Sequence, residues 1–428
     1  KIEDLTHLAA HTPHFINGWS SDQRFEVLKL MADIRNQAGS PSHARYIDNV
    51  ARRYVSQLTA SERVVALDQG EKWPGAAMGA IAKLPVVLDF QTLEKLMVLD
   101  EALVGRDDDP ASHLRIGITA VLARSGKEHA LAYLRDLYEN EPERRGILAV
   151  GLAQHPEGEN WPLLIRSLTV LEGGMAVDVL TRLIGAQQVE DDPEAIRQVI
   201  LQGLSQNQNI GRSRAIQLLE KWTGTYVGDS DESTQNTLVA WQDWFEEQYP
   251  HLPLAELPKK GEDDRYSISE LQKYLTSDEA TAANAAHGRL VYSQAQCIKC
   301  HRYGNVGESI GPDLTTISKR FQKKELLQSI VFPSHIISDQ YATKTVATTD
   351  GRIHTGIVKV NNDGSVEVID TEGKQLEVAA DDIEEIIPSN QSSMPPGLLN
   401  SLTLQEIADL FAFLNQPPPT NLSRRPER

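Results

Sequence analysis

The chain has 428 residues, a formal net charge of −18 and a sequence pI near 5.1. This length accommodates two or three domains, each burying its own core, and the acidity argues against nucleic acids and anionic membrane surfaces, which both reward dense Lys and Arg. No apolar run approaches the roughly 18 residues of a membrane-spanning helix, and Lys1-Ile2-Glu3-Asp4 does not read as a signal peptide.

Residues 1–250 carry helical periodicity, as in the stretch 24–34, where apolar positions recur at i, i+3 and i+4. Three stretches, 113–123, 145–153 and 176–184, look alike. Their spacing of about 30 residues is close to that of two-helix solenoid repeats, so a HEAT-like helical domain is expected, with an irregular helical bundle as the alternative. Small residues Gly117, Ala120, Ala149 and Gly151 would let neighbouring helices stack closely. The aromatic group Trp222, Tyr226, Trp241, Trp244, Phe245 and Tyr249 is expected to cap this array; a ligand platform is the less economical reading at helical spacing.

Residues 251–266, with prolines, a Lys259-Lys260-Gly261 break and an acidic patch, read as a linker. Helices are expected at 268–276, 279–293 and 403–414, the last stopped by Pro417-Pro418-Pro419 ahead of a tail at 417–428. Between 341 and 388 the period switches to alternation. Segments 341–349, 352–360, 365–370 and 375–378 read as strands, with turns at Asp350-Gly351, Asp363-Gly364 and Glu372-Gly373, and four or five such strands suggest an inserted small barrel of SH3 or Sm-like type.

The chain has two cysteines, and both lie in Cys297-Ile298-Lys299-Cys300-His301. Cys-x-x-Cys-His is the spacing at which haem is attached covalently: each thiol adds across a vinyl group and the adjoining imidazole becomes the proximal iron ligand. A zinc site would need a second ligand pair, and no further Cys pair or His-x₃₋₅-His run is present. A thioredoxin-like dithiol would need a βαβ context, whereas polar residues and glycines follow His301.

Several motifs around this one, in order, resemble the cytochrome c family. Within it, the likeness is specifically to the haem-binding domain at the C-terminal end of large secreted proteins of planctomycetes and verrucomicrobia. The resemblance covers 268–416. Gly288-Arg289-Leu290-Val291-Tyr292 precedes the haem motif as the first cytochrome helix does, and Gly311-Pro312-Asp313-Leu314 follows it. The resemblance implies that the Pro312 carbonyl accepts a hydrogen bond from His301 and orients it, although Gly-Pro alone would be no more than a turn. It also implies a distal ligand, Met394, in the proline-rich loop Ser392-Ser393-Met394-Pro395-Pro396-Gly397; His335, His354 and His287 are the substitutes. With the strand-rich segment 341–388 set aside, His301 and Met394 are close enough in sequence for a compact pocket. The expected cytochrome c domain is thus split into 267–340 and 389–416.

The resulting expectation is a mainly α protein in which a HEAT-like solenoid precedes an all-α cytochrome c domain with an inserted β-barrel. It would carry one covalently bound haem c and transfer electrons rather than act as an enzyme by itself. Maturation of such haem outside the bacterial cytoplasm places the protein in the periplasm or another extracytoplasmic space, with an export signal expected upstream of Lys1. The partner would be a redox protein or an upstream dehydrogenase domain, since the family's modules often follow a sugar- or alcohol-dehydrogenase β-propeller. Lys319, Arg320, Lys323 and Lys324 form a compact basic run that could steer docking or simply be a solvated helix face. Two rivals remain open: a haem peroxidase, which needs an open sixth position, and a glycan- or protein-binding scaffold with a structural or sensory haem. No Ser/His/Asp, paired-carboxylate or phosphate-loop signal is found.

Overall fold

In the computed structural model, residues 19–55, 57–85, 87–106, 108–228, 232–335, 341–370 and 373–416 are described. The expected tail at 417–428, its proline stop and Glu372 lie outside them. The protein is mainly helical with one small antiparallel sheet. Its residues fall into two compact units, one drawn from Lys1–Tyr138 and Ile147–Leu164, the other from Glu139–Gly146 and Ile165–Arg428.

The first unit is built from successive helices, among them Ser21–Asn36, Pro41–Val55, Phe90–Ala102 and Asp109–Ser125. Side-chain caps start three of them: Ser20, Asp89 and Asp108 each accept from a backbone N–H of the first turn, which would otherwise have no partner. Their apolar stripes bury Met31, Tyr54, Leu93, Leu96, Leu114 and Ile118. Asp48 is buried among them and accepts from Arg35 Nε (2.8 Å) and Trp73 Nε1 (3.0 Å). A Cβ at Gly151 would lie 3.3 Å from Thr119 Cγ2 and 3.4 Å from the Ala123 Cβ, so the close stacking expected of this glycine is present. Gly117 has only ordinary contact with Ile81.

The second unit begins with helices Gly173–Gly185, Pro193–Ser205, Asn209–Thr223 and Thr234–Gln248. Of the expected aromatic cap, Trp222, Trp241 and Phe245 are buried, and Trp244 meets Trp241 edge-on at 5.1 Å. Tyr226 departs from it, being 82% exposed. Residues 251–266 form no helix or strand, as their composition predicts. They are nevertheless tied down: the Ala255 carbonyl accepts from Gln242 Nε2 (2.7 Å), and Tyr266 Oη donates to the Leu402 carbonyl (3.0 Å).

Four helices follow, Ile268–Leu275, Ala285–Gln294, Lys323–Val331 and Leu404–Leu414. They share a core containing Leu271, Val291, Tyr292, Tyr303, Leu327, Leu402, Leu410 and Phe413. The single helix expected at 279–293 is two elements, a 3-10 turn at Asp278–Ala282 and the helix Ala285–Gln294. Asn284 divides them because its side chain accepts from the N–H groups of Ala286 and His287, which makes it a helix start.

The sheet comprises β1 (Ala342–Thr348), β2 (Ile353–Val360), β3 (Val366–Ile369), β4 (Gln375–Val378) and β5 (Ile383–Ser392), in the order β4-β3-β2-β1-β5. Val346, Val366, Val368 and Val378 form its own small core. β5 runs to Ser392, beyond the 388 at which strand patterning ends in the sequence. Its polar end is held by pairing rather than propensity: Ala342 pairs with Ser392, and Thr343 Oγ1 donates to the Gln391 carbonyl (2.6 Å).

Candidate haem-attachment site

The site begins where helix Ala285–Gln294 ends. Gln296 then adopts φ = 63°, the one positive φ among the described non-glycine residues, and so reverses the chain into the 3-10 turn Cys297–Lys299. The Cys297 carbonyl accepts from the N–H groups of both Cys300 (3.2 Å) and His301 (2.9 Å). Both thiols and the imidazole are therefore carried on a single tight turn.

The next ten residues fold back over this turn. Ile310 and Gly311 donate their N–H groups to the Cys300 carbonyl at 3.1 and 2.8 Å, and Leu314 N donates to the Arg302 carbonyl (2.8 Å). Tyr292, buried in the preceding helix, donates its hydroxyl to the His301 carbonyl (2.6 Å). The loop places Pro312 so that its carbonyl accepts from His301 Nδ1 at 2.9 Å. A carbonyl can only accept, so Nδ1 carries the proton and Nε2 keeps its lone pair. Nε2 has no hydrogen-bond partner among the described residues. Burial pushes the His301 pKa below its ordinary value, against the upward pull of the Pro312 carbonyl, so the ring is neutral. A Cβ at Gly311 would lie 2.8 Å from His301 Cε1, and any side chain there would displace the ring.

Cys297 and Cys300 are free, partly buried thiols. Burial pushes Cys297 up to about 11 and raises Cys300 as well, with Lys299 opposing the latter shift. A dithiol redox motif lowers the pKa of its attacking thiol; this pair does the reverse. Among the described residues no three His, Cys, Asp or Glu side chains are grouped to hold a metal ion, so nothing completes a zinc site around the pair. What the turn offers is two thiols in fixed spacing beside a neutral imidazole with an available Nε2. This donor set fits covalent haem attachment with axial ligation.

The helices Ala285–Gln294 and Leu404–Leu414 cross in close contact. A Cβ on Gly288 would fall 1.9 Å from the Asp409 carbonyl oxygen, so only glycine permits the approach of Ala285–Gln294 to Leu404–Leu414. Asp409, buried within the otherwise apolar run 407–414, accepts from Asn284 N (2.7 Å) and Gln405 Nε2 (2.9 Å) and pairs with His287 Nδ1 (2.7 Å). His287, a substitute iron ligand on sequence grounds, is thus engaged in the helix crossing. His354 sits on β2. His335 is partly buried, and its pKa is pushed down to about 4 by desolvation and by Arg197.

Cys297, Cys300, His301 and Pro312 are thus brought together; Met394 makes no hydrogen bond to that group. It follows directly on β5, is partly buried, and its N–H donates to Ser392 Oγ (3.1 Å). Sequence reasoning missed Gln296, Tyr292 and Asp409. Only Asp409 had a visible signal, as an acid within the apolar run 407–414. Of the basic run, Lys324 is partly buried and paired with Glu172, while Lys319, Arg320 and Lys323 are exposed. No family model matches the chain, and no curated protein matches it.

Proposed function

We propose that this chain is an exported electron-transfer module carrying one haem c, attached through Cys297 and Cys300, with His301 as proximal and Met394 as distal ligand. The observation that carries this reading is the His301 ring, with Nδ1–H tied to the Pro312 carbonyl and Nε2 available on the turn that holds both thiols. Bound haem supplies reversible one-electron iron chemistry; the protein supplies attachment, orientation and electrostatics. Pro312 holds the tautomer and, by drawing on the Nδ1 proton, makes Nε2 a stronger donor. Gly311 leaves room for the ring to sit in that orientation. The Met394 thioether is a soft, neutral donor that favours the ferrous state.

The rest of the chain reads as a HEAT-like scaffold, supported by the stacking contact at Gly151, and an inserted SH3-like barrel, supported by a five-stranded order in which β5 returns to pair with β1. Electrons would pass to or from a redox partner protein or a dehydrogenase domain of the same polypeptide. Among the described residues no helix is long and apolar enough to cross a membrane. The test is denaturing electrophoresis with haem staining on protein made in a cytochrome-maturing host, followed by haem quantitation. One haem per chain that stays with the polypeptide, and is lost in Cys297→Ala/Cys300→Ala, is expected. Haem that extracts into acidic butanone, or protein without haem, overturns the reading.

A further inference from the structure

The backbone that carries Met394 is reached from an arginine far outside the haem motif by hydrogen bonds joined through the covalent Ser334–His335 link. Arg197, in helix Pro193–Ser205, is fully buried at 0% exposure. Its Nε and Nη2 donate to the two carboxylate oxygens of Glu194 (2.8 and 3.1 Å), and its Nη1 donates to the Leu254 carbonyl (3.1 Å). Its Nη2 also donates to the His335 carbonyl. The adjacent Ser334 accepts, at its Oγ, the N–H of Ser392 (3.0 Å), and Ser392 Oγ accepts the N–H of Met394 (3.1 Å). A guanidinium this deeply buried is costly unless every donor is used, and its planar fork fixes its partners in direction as well as distance.

We infer that Arg197 is a positioning residue for the distal ligand: through His335, Ser334 and Ser392 it sets where the Met394 backbone stands, and so how well the thioether reaches iron. The inference rests on the reading of Met394 as that ligand. The loop after Met394 is Pro395-Pro396-Gly397, and neither proline has an N–H with which to anchor it. Downstream, the loop is next tied by the Asn400 side chain to Asp263 and Arg265, six residues beyond Met394, so the side-chain anchor adjacent to Met394 is Ser392. Ligands held by weak bonds depend on the shell behind them, whose loss typically costs roughly tenfold or more in ligation.

The experiment uses the full haem-loaded chain and reads the near-infrared band of iron–thioether ligation, the reduction potential and the rate of carbon monoxide binding. Arg197→Met should weaken the band, lower the potential and speed carbon monoxide binding roughly tenfold, with Arg197→Lys recovering part of the effect. Ser334→Ala and Ser392→Ala remove single links without emptying the core, and should move all three readouts in the same direction. A role confined to core stability would lower the unfolding temperature and leave these readouts unchanged in the folded variants; that result overturns the inference. A wild-type protein lacking the band and binding carbon monoxide rapidly would instead remove Met394 as ligand, and the inference with it.

Discussion

At the scale of single residues, His301 shows how an ordinary side chain is given one fixed, available lone pair. Burial keeps it neutral, and the Pro312 carbonyl accepts the Nδ1–H hydrogen bond, so the lone pair is at Nε2. The five-residue motif was legible in the spacing of thiol, thiol and imidazole, whereas the role of Pro312 was legible only through the resemblance to the cytochrome c family. Gln296 and Tyr292 were not, since a left-handed glutamine and a hydroxyl aimed at a backbone carbonyl leave no mark on composition or periodicity. The distal position gives the sharpest single-residue prediction. If Met394 completes the iron coordination, Met394→Ala opens one axial site while leaving the turn at 297–301 intact. The variant should become high-spin or bind water, fall in reduction potential and acquire rapid carbon monoxide binding with some peroxidase activity. A visible spectrum unchanged by the substitution would eliminate Met394 and reopen the enzyme reading.

At the scale of elements, the helix pair Ala285–Gln294 and Leu404–Leu414 is joined by a shared apolar core, one bare glycine contact and one buried acid. Burial alone would raise the Asp409 pKa; hydrogen bonds from Asn284 N, His287 and Gln405 outweigh it and hold the group below its ordinary 3.8. A carboxylate with a depressed folded-state pKa contributes stability above its unfolded value, and that contribution disappears as pH falls through the folded value. Acid should therefore loosen this helix crossing below about pH 4. Asp409→Asn should cost about 1.5–3 kcal/mol at neutral pH, where a charged acceptor is lost, and should flatten the acid limb of a denaturation series. A variant whose stability falls with acid as steeply as wild type would show that other carboxylates, such as the exposed cap Glu406, dominate. Periodicity located the helices but not the break at Asn284, because a cap overrides an otherwise continuous pattern. The strands at 342–378 were likewise legible from alternation and glycine turns. The end of β5 was not, since Ser389 and Gln391 have little strand propensity and fall in a register shift that is closed by the Ala342–Ser392 pair and the Thr343 hydroxyl on the Gln391 carbonyl.

At the scale of the whole molecule, composition and local charge pull in opposite directions. The formal charge of −18 favours approach by cations. The exposed Lys319, Arg320 and Lys323 offer a small basic face on the segment that leads from the Pro312 loop into helix Lys323–Val331, while Lys324 is already paired with Glu172 and adds little to it. If the protein carries the proposed haem, which of these governs its electron exchange can be read from ionic strength, because exposed charges are screened beyond about 10 Å at 0.1 M salt. If the molecule's net field dominates, oxidation of the ferrous protein by anionic ferricyanide should speed up as salt is raised, and oxidation by a cationic cobalt complex should slow. The reverse pattern would mean that the basic face controls the encounter. Lys319→Glu/Lys323→Glu would then abolish it, and an acidic partner docking at that face would become the expected one. The net field is the stronger expectation, since three exposed cations are few against the acidic excess of the chain.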